Sequence, residues 1–180
     1  MATNVNISYW EYKHYFTEVD LIVIGSGIVG LNAAYYFKKN NPKSKVLVIE
    51  RGIMPSGAST KNAGFACFGS PSELLSDLQK TPEKTVWDTV KMRWDGLKLL
   101  RKNLGDENIG FKQHGGYELF NSKTSYTKCH DSINYLNKKS AEYLGKKNTY
   151  TIANQKIKTF GFRNINGIIL NKYEGQLDTS

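Results

Sequence analysis

Asp20-Leu21-Ile22-Val23-Ile24 runs directly into Gly25-Ser26-Gly27-Ile28-Val29-Gly30, and Val46-Leu47-Val48-Ile49-Glu50 follows after one helical stretch. The first apolar run is short, β-branched and bounded by glycine, so it predicts a buried strand. The glycines form G-x-G-x-x-G where a strand hands over to a helix. Leu31, Ala33, Ala34 and Phe37 give that helix a small, apolar face, and Asn40-Asn41-Pro42 stops it. Each glycine has a mechanical reason. Gly25 permits the tight turn, Gly27 lets a pyrophosphate approach the backbone, and Gly30 lets the helix pack closely on the strand. The helix N-terminus offers N–H groups and a positive dipole end to phosphates. Glu50 follows Gly30 by 50 − 30 = 20 positions. An acid there accepts hydrogen bonds from a ribose hydroxyl. Strand, turn, helix, strand and acid arrive in register and predict a dinucleotide site. The competing reading is a glycine-rich turn that binds nothing, with Glu50 a solvated strand end.

The 180 residues suffice for one or two domains with a real core. Cys67 and Cys129 lie far apart and no C-x-x-C occurs, so neither a metal site nor a disulfide framework is expected. The first residues lack the apolar core of a signal peptide, and no apolar run reaches spanning length. The expectation is a soluble, cytoplasmic protein with no membrane partner. The net charge of +9 comes from 25 basic and 16 acidic residues, with lysines gathered late in the chain. A nucleic-acid surface is one reading. Solvated helix faces are the preferred one, since no stacking motif interrupts the lysines.

Outward from the glycine turn, residues 1–18 read as a leader, a short helix or an arm packed by Trp10, Tyr12 and Tyr15. Residues 51–69 form a long loop of glycine and small residues, and loops of that length are usually functional. The alternative is a plain connector. Ser70-Pro71-Ser72-Glu73 predicts a helix start with a capping box. Thr81-Pro82 opens another helix. Its stripe is Val86, Val90, Trp94, Leu97, Leu100 and Leu104, ended by Gly105, and Trp87 and Trp94 read as core. Residues 109–120 read as two short strands about Gly115-Gly116, with His114 structural, and residues 124–144 as one helix. Residues 156–165 and 167–173 read as extended, joined by a hairpin at Asn166-Gly167. Only two strands suit a parallel sheet, so the chain reads as the first part of something longer.

Residues 20–30, Glu50-Arg51-Gly52, Gly57-Ala58-Ser59 and Asn62-Ala63-Gly64 resemble the flavin-dependent amine and amino-acid oxidoreductases. This is the D-amino-acid oxidase family, with glycine oxidase and sarcosine oxidase among its members. Glu174-Gly175-Gln176-Leu177-Asp178 resembles the segment with which that family re-enters its flavin domain. The resemblance implies an α/β, Rossmann-like FAD/NAD(P)-binding domain followed by the start of a second, α+β substrate domain. The division is 1–18 leader, 19–80 FAD-binding part, 81–173 start of the substrate domain, and 174–180 return. It implies FAD as cofactor and a small amine or amino acid as substrate, whose α-hydrogen leaves as hydride. The cofactor-binding candidates are Gly25, Ser26, Gly27, Ile28, Val29, Gly30, Glu50, Arg51, Ser59, Thr60, Asn62, Ala63 and Gly64. Ser59, Thr60, Asn62, Ala63 and Gly64 are placed there by the resemblance alone. The family's substrate arginine and active-site tyrosine have no counterpart here, so no catalytic residue is assigned. An NAD enzyme with the same turn and a basic flavoprotein acting on tRNA are the alternatives.

Overall fold

Two continuous branched runs between residues 20 and 50, separated by a helix-forming stretch, produce one strand–helix–strand unit in the computed structural model, which describes residues 6–179. The chain divides into two compact units, Met1–Ala63 with Thr179–Ser180, and Gly64–Asp178. In the first, α1 (Tyr9–Glu11) begins at a capping box. Glu11 N–H donates to the Ser8 hydroxyl, and Ser8 N–H donates to the Glu11 carboxylate. A wider helical turn, Tyr12–Phe16, continues it. Trp10, Tyr12 and Tyr15 are 62%, 56% and 61% exposed, so this segment is helical but not a packed arm as expected. Its rings meet one another instead, Tyr9 edge-on to Trp10 and Trp10 stacked on His14. Residues 1–5 of the expected leader lie outside the described residues.

β1 (Leu21–Ile24) pairs in parallel with β2 (Val46–Ile49), Leu21 opposite Val46 and Ile24 opposite Ile49. α2 (Ile28–Asn40) crosses between them and packs on both, with Ala34 buried. Side chains alternate across a strand. The strand expected to be buried is not: Leu21 and Val23 are half-buried under α2, while Ile22 and Ile24 on the opposite face are exposed. Asp20 ties the strand starts together by accepting the Lys45 N–H at 2.7 Å.

The second unit sets helices against a three-stranded antiparallel sheet. β3 (Phe65–Ala66) pairs with the late strand β7 (Gly175–Gln176). α3 (Pro71–Asp77) and α4 (Glu83–Leu104) follow. β4 (Gly116–Phe120) leads to α5 (Lys123–Asp131) and α6 (Ile133–Leu144). β5 (Tyr150–Ile152), α7 (Lys156–Thr159) and β6 (Gly167–Asn171) complete a sheet of order β4-β6-β5. Val86, Trp87, Val90 and Trp94 of α4 are buried against Phe68, Leu74, Phe120, Leu136, Tyr150 and Ile169. Phe68 and Leu74 belong to this core, so residues 64–80 pack with the second unit.

Four further local expectations are corrected. The stretch 124–144 is two helices, because the backbone bends at Ser132, whose hydroxyl donates to the Lys128 carbonyl. The capping box at Ser70 does not form, and Glu73 pairs with Arg93 at 2.9 Å. Residues 156–159 are helical, so Asn166-Gly167 closes no hairpin with them. Asn166 N–H instead donates to the Phe120 carbonyl at the end of β4. Residues 109–115 give only a single bridge, Lys112 to Gln176, ahead of β4.

Candidate functional site

The glycine turn sits where β1 ends. Gly25 holds φ +94°, a left-handed conformation that costs glycine no Cβ clash, and its N–H donates to the Ile49 carbonyl at 2.7 Å. Gly27 is the N-cap of α2 and supplies no side-chain cap. A helix leaves its first N–H groups without intrahelical acceptors, and the dipole places partial positive charge there. Gly30 stands one turn in. A Cβ at Gly30 would overlap the Gly25 carbonyl oxygen and lie 3.0 Å from Val23 Cγ1. The turn therefore needs glycine to bring helix and strand together. A Cβ at Gly27 would meet only Ser59 Oγ, at 3.2 Å.

Ser59 reaches this helix end from the long loop. Its hydroxyl oxygen accepts the Ile28 N–H at 2.9 Å, acting as a cap from 31 residues away. The hydroxyl proton remains able to donate to an anion. Thr60 and Asn62 do something else. The Thr60 hydroxyl donates to the Pro55 carbonyl at 2.9 Å, and Asn62 Nδ2 donates to the Ala58 and Ser59 carbonyls at 3.0 and 3.1 Å. These bonds shape the loop. Ala63 is exposed, and Gly64 belongs to the second unit, where its carbonyl accepts the Leu177 N–H at 2.8 Å.

Glu50, at the end of β2, grips the turn. Its Oε2 accepts the Ser26 N–H at 2.9 Å and the Ser26 hydroxyl at 2.8 Å. Its Oε1 accepts the Arg51 N–H at 2.9 Å and the Gly52 N–H at 3.3 Å. The Ser26 backbone N–H, then its hydroxyl and the Gly52 N–H, hold the Glu50 carboxyl down to about 2. The anion is thus fixed at all physiological pH. The sequence gives its position but not this link, since a serine between two glycines carries no signal of a partner 24 residues on.

The structure brings Gly25, Ser26, Gly27, Ile28, Gly30, Glu50, Arg51 and Ser59 into one neighbourhood around the α2 N-terminus. Val29 lies on the first turn of α2 with an exposed side chain. The residues fit a dinucleotide pyrophosphate on two counts. The helix end carries no side chain at its cap, and a hydroxyl stands beside its first N–H. Among the described residues no group of His, Cys, Asp and Glu could hold a metal ion.

Another acid, buried in the second unit, was given no site role by sequence reasoning. Glu174 is 6% exposed and its Oε1 accepts the Phe68 N–H at 3.0 Å and the Gly69 N–H at 3.3 Å. Tyr150, fully buried, donates its hydroxyl to the Gly69 carbonyl at 2.9 Å. Burial pushes the Glu174 carboxyl up, against the pull of the two N–H groups. This acid holds residues 67–69 against the return strand, and the only sequence trace of it is an acid ahead of Gly175.

The family model described as FAD dependent oxidoreductase matches residues 20–179. A thiamine thiazole synthase from Eremothecium gossypii is 33% identical over 94 residues, 49% of this chain and 28% of that protein. Glycine oxidase from Bacillus cereus shares the fold with a TM-score of 0.58 at 16% identity, over 89% of this chain and 42% of that one. L-Amino acid deaminase from Proteus myxofaciens does so with a TM-score of 0.61 at 16% identity, over 90% and 34%. The chain thus spans less than half the length of each of these proteins.

Proposed function

The chain belongs to the FAD dependent oxidoreductase family, and we propose that it is the N-terminal part of an enzyme that oxidises a carbon–nitrogen bond of a small amine or amino acid. The observation that carries the nucleotide part is the glycine N-cap of α2, Gly27, with the Ser59 hydroxyl on the Ile28 N–H. The carbon–nitrogen reading takes its support from the fold neighbours, a glycine oxidase and an L-amino acid deaminase by name.

In this reading the α2 N-terminus would hold the pyrophosphate of FAD and Glu50 its adenosine ribose. Gly25 and Gly30 set the approach of strand and helix, Gly27 keeps the cap open, and Ser59 orients the first N–H and offers its proton to phosphate oxygen. Glu50, held anionic, accepts from a ribose hydroxyl and repels a 2′-phosphate. Bound FAD supplies the acceptor for the two electrons and the hydrogen that leave the substrate. The domain plan keeps residues 19–80 with FAD and gives 81–173 to the substrate side, although residues 64–80 pack with the second unit. Residues that hold the substrate are assigned to no position of this chain.

The test is ligand identity. The longer parent protein is purified, its ligand released by heat, and turnover assayed with glycine, sarcosine, proline and D-amino acids. FAD with amine-dependent peroxide or dye reduction is expected. NADP, or no nucleotide from a folded and reconstituted sample, overturns the cofactor reading. FAD without turnover of any amine overturns the substrate reading alone.

A further inference from the structure

The connection between β5 and β6, residues 153–166, carries chemistry that the flavin reading leaves unused. Between Glu142 and Glu174 the sequence has Lys146, Lys147, Lys156, Lys158, Arg163 and Lys172 and no acidic residue. Lys156, Lys158 and Arg163 flank Phe160 and Phe162 and form no ion pair among the described residues. Phe160 and Phe162 are 42% and 43% exposed, and every residue of 158–164 is exposed. Left-handed Gly161 and Asn164 fold the backbone tightly about this tip. Lys156 Nζ lies 5.9 Å from the Phe160 ring centroid.

We propose that this connection attaches to an anionic lipid surface, with Phe160 and Phe162 entering the boundary between headgroups and acyl chains. Lys156, Lys158 and Arg163 then meet the headgroup anions. Exposed aromatics rimmed by cations suit that boundary, and each cation near an anionic leaflet adds attraction. A single-stranded nucleic acid would meet the same charge but needs flat ring faces in series. The rings do not offer them. Phe160 meets Tyr117 of β4 at 5.1 Å and 86°, and Phe162 at 5.8 Å and 73°, so edges and faces are engaged with one another. A lipid boundary needs only exposed apolar area. The expectation of no membrane partner rested on spanning length, and no helix of the described residues is long and apolar enough to cross a membrane. Attachment through a loop needs no such helix.

The experiment is co-sedimentation of the chain with vesicles of phosphatidylcholine alone and with about one-third phosphatidylserine. Binding to the anionic vesicles only is expected, with each of Lys156→Gln, Lys158→Gln and Arg163→Gln weakening it about fivefold. Phe160→Ser with Phe162→Ser should weaken it at least as much, with an unchanged far-ultraviolet spectrum. If that double variant loses its fold, Lys158→Gln with Arg163→Gln, altered only at exposed positions, decides. No binding, equal binding to both vesicles, or binding that survives these variants overturns the proposal. So does tighter, substitution-sensitive binding to polyuridylate, which would assign the surface to nucleic acid.

Discussion

Glu50 accepts both the backbone N–H and the hydroxyl of Ser26, at 2.9 and 2.8 Å, so the tip of β2 is bonded directly to the glycine turn that leaves β1. With Arg51 and Gly52 N–H on its other oxygen, the carboxylate has filled about the four acceptor positions it owns. Of these donors only the serine hydroxyl can rotate away. An entering ribose hydroxyl would take its place.

Ser26→Ala is therefore expected to leave FAD affinity unchanged or slightly improved. Glu50→Gln should weaken it on the order of tenfold, since the charged hydrogen bond is lost and the new amide group faces N–H donors. Flavin titration of both variants in the enzyme proposed above checks this. A larger loss from Ser26→Ala than from Glu50→Gln would show that the serine, not the acid, contacts the ligand.

The two acids should shape stability against pH in opposite directions. Glu50 is lowered to about 2 when folded, so its contribution is full above the ordinary 4.5 and is lost as pH falls from there through 2. Glu174 is raised by burial, so the folded form binds the proton more tightly and its stabilisation declines as pH rises from 4.5 through the folded value. Denaturant midpoints measured from pH 2 to 7 should flatten on the acid side in Glu50→Gln. They should flatten above pH 4.5 in Glu174→Gln. The reverse assignment would contradict the geometry.

Glycine substitutions separate folding from binding. Gly30→Ala puts a methyl group into the Gly25 carbonyl, an overpacking that costs about 1–3 kcal/mol of stability. A Cβ at Gly27 meets only the Ser59 hydroxyl, at 3.2 Å, which can shift, so Gly27→Val is the contrasting variant. It should change stability little and weaken FAD binding by orders of magnitude, because the branched side chain covers the open cap. Urea denaturation and flavin titration on the same preparations distinguish the two. Unchanged FAD affinity in Gly27→Val would make the turn purely structural.

The strand–turn–helix of residues 21–40 was legible because each signal there is local. Branched residues, glycines and a terminal Asn-Pro act within a few positions of one another. Legibility failed where a distant partner competed. Glu73 left its capping role for Arg93, and Asn166 bonded to Phe120 instead of closing a hairpin. Ser132 broke a helix whose apolar spacing, Ile133, Leu136 and Leu144, was otherwise sound. In the candidate site the resemblance placed Ser59, Thr60 and Asn62 alike. Ser59 bonds to the Ile28 N–H at the turn, while the hydroxyl of Thr60 and the amide of Asn62 donate to carbonyls of their own loop.

The isolated 180 residues are expected to self-associate and to turn over no amine. A parallel sheet is normally covered on both faces, and here α2 covers one. On the other, Ile22 and Ile24 are 54% and 87% exposed, and Ile49 is 43% exposed nearby. Ile53 and Met54, just beyond β2, are also exposed. Among the described residues this sheet has two strands, so β1 and β2 also each present an edge with unpaired backbone groups. Such a surface lowers its free energy by pairing with another chain, so light scattering should report a mass that grows with concentration. Ile22→Lys with Ile24→Lys, which places charge on that face, should return the protein to a monomer with its helical content unchanged. Flavin absorbance and peroxide assays on the same material should stay at background. A monomeric, yellow wild-type chain that oxidises an amine would place the missing substrate contacts within these residues, and Arg93, His114, Tyr117 and Arg163 would be the positions to substitute first.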